Sequence, residues 1–166
     1  MLGAVIAVGA ALTLGSGTAP SAIPLSRCGV SQPMRHVRSL GTLIAGSGPV
    51  LLAMVGGQDR ARISIAHSDP DKLGWRGEKT PWLVRTTYQG PVTVTARRVD
   101  RPGQVRLAFV YGQHLRKLAF ARDNVGLPAH GFYLLPSAAL FRSTGCYAFH
   151  VSGRRFSERL VVRVVA

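Results

Sequence analysis

Two segments near the end of the chain alternate apolar and polar positions with a period of two. The apolar positions are Tyr147, Phe149 and Val151 in segment 145–153, and Leu160, Val162 and Val164 in segment 159–166. Successive side chains of a β-strand point to opposite faces of the sheet, so this period predicts two paired strands with these six side chains in a core. Cys146, Ala148 and His150 are then expected on the opposite face.

Shorter segments of the same character recur through the middle of the chain. The predicted strands lie in segments 48–56, 60–67, 80–88, 92–99, 105–111, 115–120 and 131–135, and residues 136–141 form the return towards Gly145. Turn-forming residues separate them, so segments 80–88 and 92–99 are expected to form a strand, a tight turn and a strand. Strands at this spacing, with no long helical pattern, predict an all-β fold with about 7–9 antiparallel strands in a β-sandwich.

The N-terminal segment has a different composition. Residues 1–14 form an apolar run of the length typical of a secretory h-region, and small or turn-forming residues follow it. We therefore expect residues 1–22 to be a signal peptide or apolar leader, residues 23–47 to be irregular, and residues 48–166 to form the sandwich. No Lys or Arg precedes the apolar run, which departs from the usual signal-peptide pattern.

The two cysteines, Cys28 and Cys146, support two interpretations. In an exported chain two cysteines most simply pair with each other, and this bond would attach the N-terminal segment to the outer face or an edge of the sheet. Alternatively, Leu25 stands three residues before Cys28, as in a lipoprotein, and a lipid anchor on Cys28 would leave Cys146 unpaired. Arg27 disfavours lipidation, because that position takes a small residue. Two cysteines without a nearby His pair exclude a four-ligand zinc site.

The chain is strongly basic. Lys and Arg number 21 against 7 Asp and Glu, for a formal net charge of +14, and only Lys72, Lys79 and Lys117 are lysines. Such a charge attracts anionic polymers, lipid surfaces or nucleic acid. The arginines are scattered from Arg27 to Arg163 without a long run. Nucleic acid is therefore the least favoured of these partners, and an anionic envelope polymer or lipid is favoured over it.

Aromatic side chains near arginines, and paired arginines, are the candidate ligand contacts. They are Trp75 with Arg76, Trp82, and the pair Arg97 and Arg98. An indole near a guanidinium can stack on a sugar or a base. A tryptophan also fills the core of a sandwich, and we expect at least one of the two to do so.

The residue types that carry catalysis or bind metals form no recognisable site. His67, Ser68 and Asp69 are adjacent in sequence, so their side chains point in different directions and do not make a catalytic triad. His67, Asp69 and Asp71 lie in a turn-rich segment and are too few for a hard-cation cage. We therefore expect a protein without enzymatic activity, metal or cofactor. The alternative is a hydrolase with an unrecognised site, which requires a cleft with two carboxylates or a His–carboxylate pair.

Several motifs resemble a group of uncharacterised secreted bacterial proteins. The matching residues are Gly74-Trp-Arg-Gly77, segment 90–100, Gly145-Cys-Tyr147 and the early Cys28. This chain has Tyr147 where the group tends to have tryptophan, and Ala96 where it often has glycine. The resemblance covers residue 28 and residues 74–166, and it implies an immunoglobulin-like β-sandwich, export and a Cys28–Cys146 bond. It implies no activity, so the expected function is a binding or structural module of the cell envelope, with polyanion binding as the alternative.

Overall fold

The computed structural model describes residues 28–31, 34–37, 42–54, 62–110, 112–121, 126 and 128–166. The predicted leader, residues 1–22, lies outside these residues. Within them every regular element is a β-strand, and no helix is long and apolar enough to cross a membrane. In chain order the strands are β1 (Met34–Val37), β2 (Thr42–Ala45), β3 (Val50–Met54), β4 (Arg62–Ser64), β5 (Arg76–Lys79), β6 (Trp82–Arg85), β7 (Val92–Arg98), β8 (Arg106–Ala108), β9 (Lys117–Phe120), β10 (Pro128–Ala129), β11 (Phe132–Leu135), β12 (Ala138–Phe141), β13 (Gly145–Gly153) and β14 (Phe156–Val165).

The strands form three sheets. A six-stranded sheet has the order β1-β2-β3-β6-β11-β10, a five-stranded sheet has the order β4-β14-β13-β7-β9, and a three-stranded sheet has the order β5-β12-β8. β4 and β14 run parallel, and the other neighbours are antiparallel. One apolar cluster contains buried side chains from all three sheets. The fold is therefore all-β and consistent with a β-sandwich.

The core lies between the six-stranded and five-stranded sheets. Trp82 on β6 meets Phe149 on β13 edge to face, with ring centroids 5.7 Å apart. β13 and β14 pair antiparallel from Gly145 opposite Val164 to Gly153 opposite Phe156. All six apolar side chains predicted from the terminal alternation are buried in this core. The predicted strand pair and its inward face are thus confirmed.

Segments 80–88 and 92–99 each contain a strand, with a turn after the first, as predicted, but the two strands do not pair with each other. β6 pairs with β3 and β11 in one sheet, whereas β7 pairs with β13 and β9 in the other. Trp82 and Val94 point into the same core from these two different sheets, so the strands that carry them lie on opposite sides of it. The connection therefore crosses from one layer to the other. Tyr88 anchors this crossing, because its hydroxyl donates to the Pro91 carbonyl at 2.9 Å and accepts from the Arg154 N–H at 2.8 Å.

More strands form than the predicted seven to nine, and several have only two to four residues. β1 and β2 lie in segment 23–47, which the sequence pattern predicts to be irregular, and they extend the six-stranded sheet beyond β3. A strand of four residues is too short to show a clear period of two. The hydrogen bonds of β1 to β2 and of β2 to β3, rather than the local pattern, decide the conformation of these two strands.

The N-terminal segment is fixed to the five-stranded sheet. A disulfide joins Cys28 to Cys146 on β13, with Cα atoms 5.7 Å apart, which is within the usual range for such bonds. Ser31 then pairs with the edge of β14, since its N–H donates to the Val161 carbonyl at 3.0 Å and its hydroxyl accepts from the Val161 N–H at 2.7 Å. The expected attachment to the outer face and edge of this sheet is confirmed.

Glu158 links the two main layers at the other end of the molecule. This residue lies on β14, and its carboxylate accepts hydrogen bonds from the backbone N–H groups of Ser47 at 2.8 Å and Gly48 at 3.1 Å. Both donors lie in the turn between β2 and β3 of the six-stranded sheet. A charge-assisted bond of this kind is stronger than a neutral one and holds the turn against β14.

Candidate functional site

The outer face of the five-stranded sheet is cationic. Its exposed charged side chains are Arg62 on β4, Arg97 on β7, Lys117 on β9 and Arg159 on β14. On each of these strands successive side chains alternate between the core and the outer face, and these four side chains occupy outer positions. Within the residues that the structure describes, no Asp or Glu occupies an outward-facing position on these five strands.

The register of the strands sets the spacing of these cations. Arg159 is opposite His150 on β13, and His150 is opposite Thr95 on β7. Thr95 is in turn opposite Lys117 on β9. With neighbouring strands about 4.8 Å apart, this row extends roughly 14 Å across the sheet. Arg97 follows Thr95 by two residues and so stands about 7 Å along β7 from the row.

A cavity of about 220 Å³ opens on the same face beside the disulfide. It is lined by Cys28, Gly29, Val99, Asp100, Cys146, Arg159 and Val161. The two charged groups in this lining are Arg159 and Asp100, and Asp100 is already paired with Arg98. The cavity therefore presents a cation and apolar walls, and it contains no second carboxylate or His with which Asp100 could share a proton.

Arg98 is directed away from this face and into the end of the sandwich. Its guanidinium forms an ion pair with Asp100 at 2.7 Å, and both side chains are 5% exposed. It also donates to the Ser143 hydroxyl and the Thr144 carbonyl, both at 2.6 Å, and lies over the Tyr147 ring at 5.4 Å from the centroid. Every side of the group thus has a partner within the protein, and Arg98 is a structural residue.

The Arg98–Asp100 pair changes the protonation of both groups. Burial by itself raises the pKa of Asp100, but hydrogen bonding and charge attraction from Arg98, with backbone N–H groups, place the pKa below its ordinary value. The hydrogen bond to Asp100 raises the pKa of Arg98, against the effect of its own burial. Both groups are therefore charged at neutral pH.

Trp75 is surrounded by two arginines and a histidine from distant parts of the chain. The indole is 4% exposed, with the guanidinium carbons of Arg142 and Arg106 at 4.5 Å and 5.6 Å from its ring centroid. His114 meets the same ring edge to face, with centroids 6.1 Å apart. Arg76, the sequence neighbour, instead donates to the Ser68 carbonyl at 2.9 Å. The cations that gather at Trp75 are thus not the one that follows it in sequence.

Asp71 organises the loop that leads into Trp75. Its carboxylate accepts from the backbone N–H groups of Leu73 at 2.8 Å and Trp75 at 2.9 Å, and it pairs with His114 at 3.0 Å. The Trp75 hydrogen bond is the main cause that lowers the pKa of Asp71, and the Leu73 bond and His114 lower it further against partial burial. This is a turn-stabilising role, because backbone groups already occupy the carboxylate. Within the described residues no three His, Cys, Asp or Glu side chains converge on a point.

The structure separates the predicted contact residues. Arg97 lies exposed on the cationic face, and Trp75 and Arg76 lie at the three-stranded sheet. Trp82 is fully buried in the core, which confirms the expectation that at least one tryptophan fills it. Arg98 is satisfied internally, so these five residues do not form one site.

Sequence reasoning missed most of the cations that the fold brings together. Arg62, Lys117 and Arg159 are far apart in the chain and come onto one face only through strand register. Each does, however, occupy a polar position of an alternating segment, which is the signal that would have placed it on the outer face. Arg106 and Arg142 carry no local signal that links them to a tryptophan.

Comparison of the chain with protein-family profiles, with curated proteins and with solved structures gave no match. The function must therefore be argued from the arrangement of the side chains.

Proposed function

We propose that this chain is an exported, non-enzymatic binding module of the cell envelope, and that the outer face of the five-stranded sheet binds an anionic polymer. The observation that carries the proposal is the set of four exposed cations on that face, with no carboxylate among its outward positions. Without local counter-charges, the field of these groups reaches into solvent and attracts a polyanion.

The shape of the face favours an extended ligand. A sheet face is broad and shallow, and the row from Arg159 to Lys117 spans roughly 14 Å of it. A compact ion would contact one of these cations at a time, whereas a linear polymer with repeated phosphate or carboxylate groups contacts several. The net charge of +14 adds a long-range attraction for the same class of ligand.

Nucleic acid is the less favoured polymer. Base recognition needs exposed aromatic faces or hydrogen-bonding side chains that reach a groove. Within the described part of this sheet His150 carries the one exposed ring among the outward positions, and both tryptophans are buried. The face thus offers several cations but only a single imidazole on which a base could stack.

Export is part of the proposal. The Cys28–Cys146 disulfide is typical of an oxidising compartment. It also engages the Cys28 sulfur, which supports the disulfide over the lipid-anchor alternative. The apolar run of residues 1–14 supplies the expected targeting signal.

An immunoglobulin-like arrangement is the finer fold assignment that we propose. The Tyr147 hydroxyl donates to the Ser143 carbonyl, four residues upstream, at 2.7 Å. A tyrosine hydroxyl bonded to nearby upstream backbone at the start of a strand is a feature of such sandwiches. A solution or crystal structure with a different strand connectivity would remove this assignment.

The function is tested by the binding of the full chain to long-chain polyphosphate, to duplex DNA and to vesicles of anionic lipid. We expect the tightest binding to polyphosphate, with log K falling linearly against log salt. Equal or tighter binding to vesicles would move the ligand to the membrane surface. An absence of binding to all three at about 50 mM salt would end the proposal, since electrostatic contacts are strongest at low salt.

A further inference from the structure

Two arginines, Arg142 and Arg106, lie against Trp75 at the outer side of the three-stranded sheet, and Gln104 is hydrogen-bonded to Arg106. We propose that Arg142, Arg106 and Gln104 bind a tetrahedral oxyanion, the phosphate or sulfate group of a small ligand, beside the Trp75 indole. None of these residues lies on the five-stranded sheet, so the site is independent of the polymer-binding face.

Strand register brings the two sides of the site together. Phe141 on β12 is paired with Arg76 on β5, so the next residues along, Arg142 and Trp75, are neighbours. The guanidinium of Arg142 accordingly lies 4.5 Å from the centroid of the indole. Arg142 is otherwise exposed, so one face of its guanidinium is held by the ring and its N–H groups face solvent.

Arg106 enters the site from the other side of β12. It is paired with Leu140, which precedes Arg142 by two residues and therefore shares its face of the sheet. The Arg106 guanidinium lies 5.6 Å from the Trp75 centroid. The ion pairs of the described residues involve neither Arg106 nor Arg142. Two positive charges are thus held at one aromatic ring, and neither is paired with the nearby Asp71 carboxylate, which is engaged by His114 and by backbone N–H groups. A bound dianion would relieve the repulsion between the two guanidiniums.

Gln104 is oriented as a donor. Arg106 donates through Nη2 to the Gln104 side-chain oxygen at 2.8 Å, so the amide presents its NH₂ group rather than its oxygen to other partners. Gly77 lies across Leu140 from Arg106, and a Cβ there would meet only Leu140, at 3.9 Å. The absence of a side chain at Gly77 leaves room for a ligand over this part of the sheet.

The donors match a tetrahedral dianion better than a carboxylate. A guanidinium donates two parallel hydrogen bonds to one oxyanion, and two guanidiniums with an amide need more than the two oxygens of a carboxylate. A phosphate monoester supplies three free oxygens and a charge of about −1.5 to −2 near neutral pH, and a sulfate ester supplies three free oxygens and a charge of about −1. The half-buried Ala138 on the same face would contact the organic part of the ligand, while the buried indole holds the two guanidiniums in place.

The test titrates inorganic phosphate, and separately sulfate, into the full chain in a buffer that contains neither ion. Tryptophan fluorescence is recorded, and Trp75→Phe identifies the part of the signal that comes from Trp75 rather than from the buried Trp82. We expect a saturable change that Arg142→Gln weakens by about tenfold or more, equivalent to one guanidinium contact. Arg142→Lys is expected to lose nearly as much, because an ammonium cannot donate in a parallel pair.

Arg154→Gln is the matched control, since Arg154 is exposed at the hairpin between β13 and β14, away from Trp75. It removes the same charge and is expected to bind phosphate as the unchanged chain does. Thermal unfolding of each variant checks that the variant is folded. If Arg142→Gln is not folded, Gln104→Ala is used instead and is expected to weaken phosphate binding several-fold.

Tighter binding of phosphate than sulfate assigns a phosphate ester, and the reverse assigns a sulfate ester. A flat titration, or equal affinities for Arg142→Lys and Arg154→Gln, would overturn the proposal.

Discussion

Two adjacent arginines in this protein have opposite roles because of the period of a strand. Arg97 points out from β7 and is exposed, whereas Arg98 points in and is held by Asp100, Ser143 and Thr144. The pair could be recognised from the sequence as a candidate contact. Which of the two reaches solvent follows from the inward direction of Val94, two positions from Ala96 and four from Arg98. The internal partners of Arg98 could not be predicted, because Ser143 and Thr144 come from a distant turn.

Removal of the Asp100 carboxylate tests the role of Arg98 in stability. Asp100→Ala leaves the Arg98 guanidinium buried with an uncompensated charge, and we expect the free energy of unfolding at pH 7 to fall by about 3 kcal/mol. The pKa of Asp100 is lowered by folding from its ordinary 3.8. Its stabilising contribution is therefore complete above about pH 4 and is lost as pH falls through the lower pKa of the folded state.

Urea unfolding of the variant and the unchanged chain at pH 7 and at successively lower pH measures this difference. Asp69→Ala is the control, since Asp69 is exposed in a loop. A deficit of stability that stays constant down to pH 2, or a similar deficit for the control, would contradict the assignment.

Gly145 lets Arg98 reach its partners. A Cβ at this position would overlap the Arg98 guanidinium, so Gly145→Ala must displace the buried ion pair. We expect a loss of about 1–3 kcal/mol of unfolding free energy, as for other overpacked sites. Gly29→Ala, where no atom lies within 4 Å of the new Cβ, is expected to change stability little. Denaturant unfolding of both variants measures this difference in stability. Equal unfolding midpoints would contradict the close approach of the Arg98 guanidinium to Gly145.

Long, alternating strands were predictable, and short strands were not. β13 and β14 have 9 and 10 residues, which is enough for the period of two to identify both the pair and its inward face. β1, β2 and β5 have four residues each, and their pairing partners decide their conformation. The crossing between β6 and β7 was missed because a turn-forming sequence fits both a hairpin and a connection between layers.

The disulfide is the link between the N-terminal segment and the sandwich, and its removal is expected to weaken the whole fold. The bond closes a loop with a sequence separation of 118 residues. Restriction of the unfolded chain by a loop of this length contributes about 4–5 kcal/mol in the chain-entropy treatment. The double variant Cys28→Ser with Cys146→Ser should therefore unfold at a clearly lower urea concentration. An unchanged unfolding midpoint, with the unchanged chain proved to be oxidised, would show that the bond does not restrain the fold.

At the scale of the whole molecule, the proposed export predicts a mature protein that has lost its leader and has the Cys28–Cys146 bond. Intact mass of the protein exported by a bacterial host is expected to start between Pro20 and Ile23 and to rise by two hydrogens on reduction. A mass that starts at Cys28 and includes acyl groups would instead identify a lipoprotein, with Cys146 unpaired.

The charge of the molecule was evident from the sequence, but its arrangement was not. The cations of the cationic face come from β4, β7, β9 and β14, which are separate in the chain and belong to one sheet. Scattered arginines in a sequence indicate a basic surface in general. Only the strand order shows that four cations share a face with no carboxylate among its described outward positions.

The most direct test of the proposed function compares two triple variants that remove the same charge. One carries Arg97→Gln, Lys117→Gln and Arg159→Gln on the cationic face, and the other carries Lys79→Gln, Arg101→Gln and Arg154→Gln at exposed positions elsewhere. The affinity of each for long-chain polyphosphate is measured over a range of salt concentrations. We expect the face variant to lose most of the binding and its slope of log K against log salt to become shallower by about 2–3, while the control changes little. Equal losses in the two variants would show that net charge alone drives binding, and would contradict a binding site on the five-stranded sheet.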